Sequence, residues 1–130
     1  MTLKFRVWDE TQREMLQVDC IEFIDGKAYW VEASPADGIV QGVNDGPIGG
    51  NSQLKLEQFT GLKDANGKEI YEDDVLENPK YRSVVKFESG SFYADVIGAA
   101  NRFTLAGEWQ TSVVIGNVHT SPELLEAQHG

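Results

Sequence analysis

The chain is short of cysteine, histidine and positive charge, and each shortage narrows what it can do. Cys20 is the only cysteine among 130 residues, so neither an intrachain disulfide nor a multi-cysteine zinc site can form. Usage this sparse fits a reducing cytoplasm. Eleven Lys+Arg stand against 21 Asp+Glu, a formal net charge of −10. Direct nucleic-acid binding, which draws its affinity from clustered Lys and Arg, is not expected. No apolar run approaches the ~20 residues that cross a bilayer, so no membrane partner is expected. Lys4 and Arg6 fall where the apolar region of an export signal would start, so none is read there.

What remains is a chain of one-domain length, 41% hydrophobic, with enough apolar content for a single core. Its patterning is that of strands. Leu3, Phe5 and Val7 alternate with Lys4, Arg6 and Trp8, the period of a half-buried strand. Met15–Ile24 continues the alternation until Asp19 and Cys20 break it, which predicts a bend or a bulge. Asp25-Gly26 predicts a tight hairpin into a strand over Ala28–Ala33. Leu54, Leu56 and Gln58 alternate with Lys55, Glu57 and Phe59, and Asn66-Gly67 predicts a reversal soon after. Strands are further predicted over Val75–Glu77, Arg82–Phe87, Phe92–Ile97, Arg102–Leu105 and Val113–Val118, with Glu88–Ser91 as a hairpin turn. Ser121-Pro122-Glu123, followed by Leu124 and Leu125, has the cap, the first-turn proline and the acidic start of a short C-terminal helix. The expected fold is mainly β, a small SH3-like or strongly bent barrel with hairpins and that helix. Ser34–Ser52, rich in Gly and Pro, is expected to be a loop or insertion within one domain over residues 1–130.

Three stretches resemble the YopX family of phage and prophage proteins: Lys4–Asp9, the long run Phe59–Val75, and Val114–Val118 with Ser121–Leu125. They occur in the family's order and span nearly the whole chain. The resemblance implies a small, mostly β protein of the bacterial host cytoplasm, without an established activity and capable of self-association. It supplies no catalytic residue. The family usually carries Gly where this chain has Asp73, a substitution that Asp tolerates better than most residues if the backbone there has positive φ.

Candidate chemistry is sparse. Asp64, Asn66 and Gly67 suggest a calcium loop, but in that register Lys68 and Glu69 stand where an EF-hand needs an oxygen ligand and glycine. Gly46–Asn51 lacks the Lys-Ser/Thr ending of a phosphate loop. A metal site or a catalytic triad would have to use His119, since His129 adjoins the C-terminal Gly130. Cys20 within an apolar strand reads as a small core residue rather than a nucleophile. Trp8, Trp30, Trp109, Tyr29, Phe92 and Tyr93 read as core or subunit interface in the absence of a basic groove. The remaining candidate is the acidic run Glu69, Glu72, Asp73, Asp74 and Glu77, read either as a partner-binding acidic surface or as a solvated sheet edge. The expected function is therefore non-enzymatic and without cofactor: a phage accessory protein that works by protein binding or self-assembly, with a host protein or a homo-oligomer as partner. Two other readings are an acidic, DNA-mimicking decoy for a host protein and a small-molecule or nucleotide-binding protein or hydrolase.

Overall fold

The computed structural model describes residues 3–35, 44–49, 51–107 and 109–126. The chain forms two compact units, one over Leu3–Gln58 and one from Phe59 onward. The first contains β1 (Phe5–Asp9), β2 (Glu14–Ile24), β3 (Lys27–Ser34), β4 (Asn44–Pro47) and the start of β5 (Leu54–Lys63). Their order is β4-β3-β2-β1-β5. The turn between β2 and β3 has positive φ at both Asp25 (51°) and Gly26 (78°), the primed geometry that matches strand twist.

The broken alternation in β2 is a real bulge. Val18 faces Ala33 and Cys20 faces Glu32, so Asp19 is the extra residue. The bulge also corrects the reading of Cys20, which is exposed. Leu16 and Val18 pack on the core, and after the insertion Ile21 takes the inward place that unbroken alternation would have given Cys20. The core of this unit is Val7, Leu16, Val31, Ala33 and Leu54, each large side chain contributing ~1.5–3 kcal/mol by its burial. The expected loop at Ser34–Ser52 is in part a strand: Asn44–Pro47 pairs with Ala33–Trp30.

The second unit contains the end of β5, then β6 (Glu69–Tyr71), β7 (Asp74–Glu77), β8 (Arg82–Glu88), β9 (Ser91–Val96), β10 (Arg102–Thr104) and β11 (Val113–Asn117). Five of them form an antiparallel sheet in the order β10-β9-β8-β7-β11. Ser89 (φ 52°) and Gly90 (φ 82°) close β8 onto β9 with a second primed turn. The core is Ile70, Leu76, Val85 and Leu105, with Leu62, Phe92, Trp109 and Val114 packed around it.

Mainly β is thus correct, and the strands form two antiparallel sheets whose orders are open at both ends rather than closed into a barrel. The expected C-terminal helix is a single 3-10 turn, Pro122–Leu125, within the described residues. Its physical reason lies at Gly116 and Ser121. The Ser121 side chain makes no cap hydrogen bond; instead it lies against β11, where a Cβ on Gly116 would come within 2.7 Å of its Oγ and 2.9 Å of Leu124 Cδ1. Glycine at 116 lets the terminal segment lie directly on the strand.

Candidate functional site

The acidic run does not form one continuous face. Asp74 is 2% exposed, and its Oδ2 accepts the Tyr71 N–H at 2.8 Å, so it closes its own turn. Glu77 meets Arg82 at 2.8 Å and Asp73 meets Lys86 at 2.9 Å. Glu69 and Glu72 are half-buried. β7 lies between β8 and β11, so Asp74 and Glu77 belong to an interior strand and not to the sheet edge that was one reading of the run. Asp73 adopts φ 67°, the positive value anticipated for this position. Its backbone N–H donates to Val85 and its carbonyl accepts from Val118, which ties the turn to β8 and to the segment after β11.

The corner between β5 and β6 is organised by Asp64. Its backbone carbonyl accepts the Gly67 N–H, and Gly67 (φ 83°) supplies the left-handed residue that ends such a turn. Its carboxylate is 5% exposed. Oδ1 accepts from the N–H groups of Asn66 at 2.8 Å and Lys68 at 2.9 Å, while Oδ2 accepts from Val114 N–H at 2.8 Å. Burial alone raises the pKa of this acid, but the three N–H donors, Val114 foremost, together with the Lys68 charge, hold it below its ordinary value of 3.8. Both oxygens are engaged by the protein's own backbone, so the residue that suggested a calcium ligand fastens a turn to β11.

Glu57 is a further buried carboxylate, one that the strand pattern does not reveal. It is 1% exposed and accepts Arg6 Nε at 2.7 Å. The two residues face each other across β1 and β5. The alternation in β5 assigned Glu57 to the outward face with Lys55. The signal that would have found it is charge complementarity, a lone Arg in one strand and a lone Glu in its partner. Of the histidines, His119 donates its backbone N–H to Asn117 Oδ1, with Nε2 4.0 Å from Asp73 Oδ2. His129 lies outside the described residues.

Three surface features have no evident structural task. The first is the tip of the β2–β3 hairpin. β1 pairs with β2 only over Glu14–Gln17, so the outer part of the hairpin lacks that neighbour, and there Phe23 is 57% exposed, Ile24 54% and Tyr29 42%. Glu22 faces Trp30 and Phe23 faces Ala28, so Tyr29 is an extra residue where the register shifts. The other two are clefts, one in each unit. A cleft of about 580 Å³ beside Asp9, Gln12, Asp45 and Asn51 holds two acids and no base among the described residues. Another of about 570 Å³ lies among Asn78, Lys80, Tyr81, Phe103 and Thr111, and its described lining holds a base but no acid.

The family model described as YopX protein matches residues 4–126. The chain belongs to the YopX family. Two solved structures are similar to it over almost their full lengths. Protein EF1440 from Enterococcus faecalis is 26% identical with a TM-score of 0.66, covering 97% of this chain and 99% of that one. Protein yopX from Bacillus subtilis is 24% identical with a TM-score of 0.55, covering 95% and 96%, and speaks for the fold alone. No curated protein matches. In this YopX-family chain the motif over Phe59–Val75 is a corner built from hydrogen bonds, and the one over Val114–Leu125 is the close approach at Gly116. No helix among the described residues is long and apolar enough to cross a membrane.

Proposed function

We propose that this YopX-family chain is a non-enzymatic phage or prophage accessory protein of the bacterial cytoplasm that acts by protein binding, with the β2–β3 tip as its contact. The observation that carries this reading is the exposure of Phe23, Ile24 and Tyr29 together at the end of one hairpin. Large apolar side chains cost solubility when left in water, and an exposed cluster of them is the usual mark of a contact surface. Aromatic anchors of this kind supply most of the binding energy where they are covered. A second copy of the chain and a host protein both fit the apolar chemistry.

The test compares the wild-type chain with a Phe23→Ser/Ile24→Ser variant, in light scattering and in capture from bacterial lysate at low and high salt. The expected result is an assembly or a captured protein that persists at high salt and disappears in the variant. Identical behaviour of the two proteins overturns the reading. The decoy alternative draws on the net charge of −10 and predicts the opposite salt response, because screening weakens a contact between exposed charges. The pairing of Asp73 with Lys86 and of Glu77 with Arg82 weighs against the acidic run as the surface for it.

A further inference from the structure

Acids outnumber bases almost two to one in this chain, yet among the described residues the cleft in the second unit is lined by one ammonium group and no carboxylate. Its shape is fixed locally. Asn78 Oδ1 accepts the N–H groups of Lys80 at 2.8 Å and Tyr81 at 3.0 Å, and Asn78 N–H donates to the Tyr81 carbonyl at 3.0 Å. That turn, with Pro79 inside it, sets Lys80 at the rim and sends Tyr81 inward. The Tyr81 ring stacks on Phe103 at 5.6 Å with an interplanar angle of 16°. Phe103 is nonetheless 38% exposed, so the stack leaves aromatic surface open. Arg102, the next residue, holds β10 in place by binding Asp95 through Nε and Nη2 and Glu88 through Nη1. Those acids are engaged by Arg102 and do not line the cleft.

A near-parallel pair of rings with open surface accepts a third flat ring. A lysine at the rim acts as a point charge for an anion, and phosphate is the anion it meets most often. The Asn78 amide, its oxygen occupied within the turn, offers N–H donors to an oxygen-rich ligand. The volume, about 570 Å³, falls in the ~300–1,000 Å³ range of small-molecule sites. From these features we infer that the cleft among Asn78, Lys80, Tyr81 and Phe103 binds a flat aromatic ring that carries a phosphate, a mononucleotide. The inference goes beyond protein binding by the hairpin tip and does not rest on it.

The test is an NMR titration of the full chain with adenosine monophosphate, adenosine and inorganic phosphate, following the ring signals of Tyr81 and Phe103. Adenosine monophosphate is expected to saturate with a Kd of about 1 mM or tighter. Adenosine is expected to bind about fivefold more weakly, the contribution of one exposed charge pair. Lys80→Ala should reduce the monophosphate to the affinity of adenosine and leave adenosine unchanged. Phe103→Leu should weaken both by about tenfold, the loss of one stacking face. Absence of saturable shifts with both nucleoside ligands overturns the inference, as does inorganic phosphate matching the monophosphate or variants that bind like the wild type. Lys80 is exposed, so its variant retains the fold and decides the question even if Phe103→Leu does not fold.

Discussion

Two of the buried carboxylates, Glu57 in the first unit and Asp64 in the second, are satisfied by opposite means. Glu57 in the first unit relies on a side chain, the guanidinium of Arg6 at 2.7 Å. Asp64 in the second relies on three backbone N–H groups between 2.8 and 2.9 Å. A buried ion pair is only as secure as its less buried member, and losing either partner strands the other. Backbone donors are removed by no substitution except proline. The contrast suggests that the corner of the second unit is the more tolerant of change around it and the less tolerant of change at Asp64 itself.

The sharpest way to test the contrast is to delete each acid. Glu57→Ala should have the largest effect, a loss of about 3 kcal/mol in urea unfolding, because Arg6 is left in a partly buried place. Combined with Arg6→Ala it should show strong coupling in a double-mutant cycle, whereas Asp64 has no such dependence on Arg6. Asp64→Asn should cost about 2 kcal/mol, since the amide keeps one acceptor oxygen where the carboxylate has two. Its pH dependence has a definite sign. The native pKa of Asp64 lies below 3.8, so its contribution is complete above that value and fades as the pH falls through the native pKa. The stability gap between wild type and Asp64→Asn should therefore narrow in acid, and a gap constant down to strongly acidic pH would contradict the assignment.

Smaller effects test the surroundings of the corner. Gly116→Ala places a methyl group against Ser121 and Leu124 and should cost about 1–2 kcal/mol, measured by the same unfolding curves. Asp73→Gly relieves the φ of 67° at the loss of the partly exposed contact with Lys86. It should be neutral to stabilising by less than about 1 kcal/mol, and a clear destabilisation would show that the Asp73 carboxylate matters more than its backbone.

The elements most legible in the sequence are those governed by local chemistry. Asp25-Gly26, Ser89-Gly90 and Asn66-Gly67 declare their turns through residues that accept positive φ, and the interrupted alternation at Asp19 declares its bulge. The positive φ at Asp73 is legible only through the glycine that the YopX family usually carries there. Glu57 is not legible, because its burial depends on which strand lies beside β5, a nonlocal fact that alternation does not contain. Cys20 is exposed because the extra residue at Asp19 shifts the phase of everything that follows it in β2. At the C-terminus, helix-start chemistry at Ser121–Glu123 is present but loses to packing on Gly116. The hairpin tip and the two clefts depend on strand lengths and on turns meeting in space, and neither follows from the order of residues alone.

The Arg6–Glu57 contact joins positions 51 residues apart, and the Asp64–Val114 bond joins positions 50 apart. Contacts of such separation require a large loop to close before they return any stabilisation, whereas the hairpins at Asp25-Gly26 and Ser89-Gly90 form locally. These two contacts therefore form late in folding, as latches set after the sheets have assembled. Substitution of Glu57 should leave the refolding rate almost unchanged and accelerate unfolding instead, whereas Asp64, which also bonds the nearby Asn66 and Lys68, should affect both rates. What the two carboxylates control is how long each unit, once folded, stays closed.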